Sequence, residues 1–143
     1  MHRAARSAVA VFLSLAALSA LTACSSGTTD TGGTSGDGWT KIDAATLQAR
    51  LEDPSTVLVN VHVPYEGEIP GTDAFIPYTE IAQKISDLPS DPSKLVIYCR
   101  SGNMSTEAAK ELVAAGYQGF AELSGGFYAW QAAGLPLKMT PQA

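Results

Sequence analysis

The sequence predicts an α/β domain with a mainly parallel sheet flanked by helices, and three observations carry that expectation. The runs 56–62 and 95–98 are rich in β-branched and other apolar residues with almost no polar interruption, as strands covered on both faces are. Stretches at 43–51 and 105–115 alternate with them and space their apolar residues by three or four, as one face of a helix does. Gly and Pro stand at the junctions between these segments.

Each element follows in order. Trp39-Thr40-Lys41-Ile42 reads as a short opening strand, and Asp43 is placed to cap a helix whose apolar face runs through Ala44, Leu47 and Leu51 until Pro54 ends it. The run 56–62 is the next strand. Residues 64–71, with two Pro and two Gly, form a loop; a short strand is expected at 74–76 and a helix at about 79–88, apolar at Ile81 and Ile85. Residues 95–98 are the central strand and 105–115 the helix after it, closed by Gly116 as a C-cap. Phe120-Ala121-Glu122-Leu123 is a further strand. Ser124-Gly125-Gly126 turns into a last helix over 127–133, stopped by Gly134 and Pro136.

The chain ahead of this domain has another character. His2, Arg3 and Arg6 precede a run over 8–23 that is apolar apart from a few Ser and Thr, shorter than the roughly 20 residues of a spanning helix. A basic start, a short apolar stretch and a small-residue end read as a secretory signal. Its end, Leu21-Thr22-Ala23-Cys24, is similar to the bacterial lipobox, which implies that Cys24 is lipid-modified and becomes the new N-terminus. The alternative is an ordinary signal peptide in which Cys24 falls by chance. Residues 25–38 hold only Ser, Gly, Thr and two Asp, a composition with no apolar surface to offset the entropy of ordering. The expected organisation is a lipoprotein signal peptide over 1–23, the lipidated Cys24 and a flexible tether over 24–38, and one domain over 39–143. The protein is then expected on the extracytoplasmic face of the cell envelope, anchored to the membrane by lipid.

From Trp39 onward, seven Lys and Arg face twelve Asp and Glu, so the domain carries the whole formal charge of −5. No basic run supplies the phosphate attraction that nucleic acid needs, so that partner is excluded. No cofactor and no metal are expected. With Cys24 taken by lipid, Cys99 has no disulfide partner within the chain. A lone thiol outside the cytosol is either buried and inert or available for chemistry with another sulfur species.

Cys99 is the residue on which a function can be built. It closes the apolar run Leu95-Val96-Ile97-Tyr98 and opens Arg100-Ser101-Gly102-Asn103-Met104-Ser105, with a helix expected to start at Ser105-Thr106-Glu107. In an open parallel sheet, ligands sit beyond the carboxyl ends of the strands, where this thiol falls. A helix N-terminus there favours an anion, whether a thiolate or a bound sulfur oxyanion. A turn with Gly102 lets backbone N–H groups converge on one point without a neighbouring general base. His62, the only histidine after His2, lies on an earlier strand, so a Cys-His pair of the protease kind is a poor fit and His62 reads as structural.

Three separated segments together resemble the rhodanese-like family. Leu58-Val59-Asn60-Val61-His62 with Ile69-Pro70-Gly71 and Ile76-Pro77 is similar to its early strand and the loop that follows. Tyr98-Cys99-Arg100-Ser101-Gly102-Asn103 with Ser105 is similar to its active loop, commonly Tyr-Cys-Arg-Ser-Gly-Asn-Arg-Ser. Leu123-Ser124-Gly125-Gly126 with Trp130 and Gly134-Leu135-Pro136 is similar to its C-terminal ending. The resemblance implies a single rhodanese-like domain and a sulfurtransferase in which Cys99 is the nucleophile. It implies that Arg100, Ser101, Gly102, Asn103, Met104 and Ser105 bind a small sulfur donor, and that a thiol is the acceptor. Phosphatases of the dual-specificity cell-cycle type share the fold but place five residues between their Cys and a phosphate-clamping Arg. Here that position is Ser105.

Two departures bear on the expected chemistry. Met104 stands where thiosulfate-using members often carry Arg or Lys, which predicts weaker thiosulfate use. Either Met104 is a soft contact for a less charged persulfide, or it only packs at the loop rim. The family's Asp-x-Arg is here Asn60-Val61-His62, which suggests a neutral hydrogen bond in place of an ion pair. Glu66 and Glu68 either bring negative charge toward Cys99 or, more ordinarily, are solvated loop carboxylates. Glu107 and Lys110 read as a surface pair, and Phe127 and Trp130 as packing for the last helix. The function expected is sulfur transfer through a Cys99 persulfide; the alternative is a non-catalytic rhodanese-like module for partner binding or sulfur and redox sensing.

Overall fold

A computed structural model describes residues 37–139; the expected signal, Cys24 and the tether up to residue 36 lie outside the described residues. Strand β1 (Thr40–Ile42) leads into helix α1 (Ala44–Arg50), where the Asp43 carboxylate accepts from the Thr46 N–H at 2.8 Å as the expected cap. Strands β2 (Val57–Asn60), β3 (Ala74–Phe75), β4 (Leu95–Tyr98) and β5 (Ala121–Leu123) follow, with helix α2 (Asn103–Ala114) between β4 and β5 and helix α3 (Gly126–Ala132) after β5. The sheet has five strands in the order β1-β5-β4-β2-β3, every neighbouring pair parallel.

Two elements depart from expectation. The segment expected as a helix over 79–88 is a 3-10 helix, Ile81–Asp87, broken by non-helical backbone at Lys84. Ile81 alone of its residues is buried, so too little apolar face docks to hold a regular α-helix. Helix α2 begins at Asn103, two residues before the expected start, because Gly102 adopts a left-handed φ of 99° and turns the chain directly into the helix.

Alternation along the strands splits the core into two layers. Val59, Val61, Leu95, Ile97, Cys99 and Phe120 pack with Ala108, Ala109 and Leu112 of α2. Leu58, Val96, Tyr98, Ala121 and Leu123 pack with Leu47 of α1 and with Phe127 and Trp130 of α3. Each fully buried Leu or Ile stabilises the fold by roughly 1.5–3 kcal/mol. The same alternation decides the site: the Cys99 side chain emerges on the α2 face, at the carboxyl end of the central strand. From that end the chain leaves β2 toward β3 and leaves β4 toward β5 on the other side, so a crevice opens between them.

Candidate active site

Cys99 directly follows β4 and is buried at 1 % exposure. The Gly102 N–H donates to its Sγ at 3.0 Å. That geometry follows from the tight entry into α2, since the Thr106 N–H already donates to the Gly102 carbonyl at 3.0 Å and fixes the first helical turn against the loop. Ser105, fully buried in that turn, places its Oγ 3.5 Å from Sγ. Of the remaining loop residues, Ser101 and Asn103 are exposed, whereas Met104 is half-buried with its side chain against the core.

The loop backbone is held from the opposite face. The N–H groups of Phe127 and Tyr128, in the first turn of α3, donate to the carbonyls of Cys99 at 3.0 Å and Arg100 at 3.1 Å. These are helix N-terminal donors with no partner inside α3. The approach is so close that a Cβ on Gly126 would collide with the Cys99 carbonyl oxygen. Tyr98 anchors the other side: its Oη accepts from the Ile69 N–H at 3.0 Å and lies 2.7 Å from Thr72 Oγ1, and burial pushes its phenol well above the ordinary range.

With this geometry in place, comparison with known proteins decides the family. Residues 43–133 match the rhodanese-like domain. The chain belongs to the rhodanese-like family. A sulfurtransferase of Allochromatium vinosum is 40% identical over 102 residues, 68% of this chain and 92% of that protein. Thiosulfate sulfurtransferase 16 of Arabidopsis thaliana, a chloroplastic protein, is 28% identical over 78 residues, 54% of this chain and 63% of its own length. Among solved structures, a rhodanese-related protein from Thermoplasma volcanium superposes with a TM-score of 0.59 at 27% identity, covering 70% of this chain and 98% of that one. The rhodanese-like domain of an Anabaena protein does so with a TM-score of 0.60 at 26% identity, covering 72% and 85%.

The rim of this rhodanese-like site differs from what its sequence suggested. Arg100 Nη1 donates to Glu66 Oε2 at 2.7 Å, and its guanidinium lies 5.7 Å from the centre of the Tyr128 ring. Glu66 Oε2 also accepts from His62 Nε2 at 3.0 Å, so Glu66 is neither free nor merely solvated. His62 is buried, edge-on to Phe127, with Nδ1 lacking a hydrogen-bond partner among the described residues. Asn60 does not pair with the His62 ring. Its Oδ1 accepts from the His62 backbone N–H at 3.0 Å and its Nδ2 donates to the Gly67 carbonyl at 3.0 Å, so it braces the 62–67 loop from within β2. Glu68 is buried rather than solvated, and its backbone pairs with Lys138 in both directions, at 2.7 and 2.8 Å. Glu107 and Lys110 form the expected exposed pair at 2.9 Å.

Two features of the site escaped sequence reasoning. Met104 joins Tyr78, Asn103, Thr106 and Glu107 in lining a hollow of about 280 Å³ beside the loop, and Tyr78 gave no local signal because its neighbours are a Pro and a 3-10 turn. Glu122 lies 1 % exposed on β5, and its Oε1 accepts from Ser105 Oγ at 2.7 Å and Thr106 Oγ1 at 2.9 Å. A signal for Glu122 did exist: a carboxylate inside a strand covered on both faces must find partners or not be there.

Proposed function

We propose that this rhodanese-like protein is an extracytoplasmic, lipid-anchored sulfurtransferase that carries sulfane sulfur as a persulfide on Cys99. It takes that sulfur from thiosulfate or an organic persulfide and passes it to a thiol or a cyanide-like acceptor. The observation that carries the reading is the Gly102 N–H aimed at Sγ from 3.0 Å, at the end of the central strand and the entrance of a helix. Such a donor stabilises negative charge on the sulfur before attack and on the persulfide after it. The names borne by the relatives in Allochromatium and Arabidopsis point the same way.

With thiosulfate, the Cys99 thiolate forms a bond to the outer sulfur. The sulfur–sulfur bond of the donor breaks, and its electron pair leaves on sulfite. An incoming cyanide or thiolate then takes the outer sulfur and returns Cys99 as thiolate. Neither half-reaction needs an oxidant or a reductant. Arg100 is engaged by Glu66 and Met104 carries no charge, so an uncharged persulfide tail lying along Met104 and Tyr78 is the better-matched donor.

The test uses the full chain in detergent, given thiosulfate or the persulfide of 2-mercaptoethanol, whose tail is uncharged, with cyanide, and follows thiocyanate beside a Cys99→Ser control. Cys99-dependent thiocyanate, and a sulfur adduct on Cys99 by intact mass, are expected. A folded protein that moves sulfur from neither donor would leave the non-catalytic binding or sensing reading instead. Anchoring is tested separately: Cys24→Ala releases the protein from membranes, and unchanged retention would remove the lipid anchor.

A further inference from the structure

Glu122 is a buried carboxylate for which sulfur transfer as described has no use. Alternation on β5 puts it beside Phe120 on the α2 face, while Ala121 and Leu123 pack on the other. Trp39 Nε1 donates to its Oε2 at 2.8 Å and Lys41 Nζ lies 3.9 Å from the same oxygen. Ser105 and Thr106 hydroxyls donate to Oε1. Ser105 Oγ therefore touches both Glu122 Oε1 and the Cys99 sulfur and links the two.

A serine hydroxyl has one proton to give. Three acceptors compete for that of Ser105: Glu122 Oε1 at 2.7 Å, the Gly102 carbonyl at 3.2 Å and Cys99 Sγ at 3.5 Å. The shortest contact, to a charged acceptor, takes it. Ser105 then presents a lone pair to the sulfur, which suits a thiol that donates its S–H and not a thiolate that needs donors.

We propose that Glu122 is a positioning residue for Cys99, acting through Ser105: it takes the Ser105 hydroxyl proton as a hydrogen bond and so turns a Ser105 lone pair to the sulfur. As the thiol loses its proton to water, the Ser105 O–H rotates from Glu122 Oε1 to Sγ, no O–H bond breaks, and the sulfur gains a second donor beside the Gly102 N–H. The hydroxyl swings back to Glu122 when the persulfide has been discharged and Cys99 is again a thiol. The charged groups around this chain are Lys41 of β1 beside Glu122, and Arg100 beside the sulfur, itself paired with Glu66, which also holds His62.

This inference deepens the sulfur-transfer reading, but its test does not depend on transfer. The full chain is alkylated at Cys99 with iodoacetamide across a pH series and followed by intact mass. Glu122→Gln keeps its carbonyl toward Trp39 and Lys41, turns its N–H groups to Ser105 and makes Ser105 a standing donor to the sulfur. The alkylation profile is expected to move acidward by about one pH unit, with a roughly tenfold faster reaction on its acid limb. In a Ser105→Ala background the same substitution is expected to lose most of that shift. A Glu122→Gln profile superimposed on the wild type would overturn the proposal, as would an equal shift without Ser105. Where Glu122→Gln does not fold, the carbon resonance of the Glu122 carboxyl in wild-type protein decides. It is expected to follow the Cys99 alkylation profile, and a resonance silent over that range would overturn the proposal. Failed sulfur transfer with this coupling intact would count against the function alone.

Discussion

Arg100 and Glu66 form an ion pair at 2.7 Å across the crevice between the ends of β4 and β2. The hydrogen bond from His62, and after it that from Arg100, holds the Glu66 carboxyl below the usual carboxylate range. The pair therefore persists through neutral and mildly acidic pH, and the one cation in the loop spends its charge on a carboxylate instead of an anionic donor. Glu66→Gln is predicted to lower the KM for thiosulfate by roughly 3- to 10-fold with kcat little changed, because one negative charge leaves the rim. Steady-state thiocyanate formation checks this; an unchanged KM would mean that Arg100 never reaches the donor.

A second cation is more direct. Met104 lies in the first turn of α2 with its side chain half-buried beside Tyr78. Met104→Arg is predicted to improve kcat/KM for thiosulfate by about tenfold, the worth of one charge-assisted contact at a partly exposed site. An organic persulfide with an uncharged tail is expected to gain nothing or to lose, since the soft apolar contact is gone. Equal gains with both donors would show that Met104 does not choose between them.

The scaffold was legible in the sequence because its signals are local and periodic. Residues 95–98 read as a strand and are one; Asp43 read as a cap and is one; Gly116 sits at the expected helix end with a left-handed φ of 87°. The place of Cys99 was legible for the same reason, since a strand followed by a glycine turn and a helix is a local pattern. What was not legible depends on contacts far apart in the chain. Glu66 reaches Arg100 across 34 positions, Glu122 reaches Trp39 across 83, and neither spacing leaves a trace in the composition of a window. The helix expected over 79–88 failed for a related reason: its periodicity was present, but burial at Ile81 alone left it a broken 3-10 helix.

Acid stability has a source remote from the thiol. Asp53 accepts from the Ser55 hydroxyl at 2.7 Å and N–H at 2.9 Å, and from Lys94 Nζ at 3.1 Å. Those hydrogen bonds, Ser55 first, pull its carboxyl down to about 2. A folded value below the unfolded one contributes stability that is complete above about pH 4 and lost as pH falls through the folded value. Asp53→Asn is predicted to cause a small drop in Tm at neutral pH that shrinks on acidification, the two curves converging toward pH 2. Thermal melts across that range check it, and a constant difference would mean that the contribution of Asp53 does not depend on its charge.

Gly126 and Gly134 separate collision from backbone strain. Both have positive φ, 57° and 79°, so a side chain strains either one. A Cβ at Gly134 meets nothing within 4 Å, whereas at Gly126 it strikes the carbonyls of Cys99 and Arg100. Gly134→Ala is therefore predicted to cost about 1 kcal/mol and to leave sulfur transfer intact. Gly126→Ala must push α3 off the loop and break the Phe127 and Tyr128 hydrogen bonds, at a cost of roughly 2–4 kcal/mol. Freed from α3, the Cys99 backbone no longer holds Sγ against the Gly102 N–H, so thiocyanate formation is expected to fall by roughly 100-fold or more in the folded fraction. Denaturant melts and transfer assays on the two variants decide the matter, because equal losses of stability would make strain the whole effect and the α3 clamp dispensable.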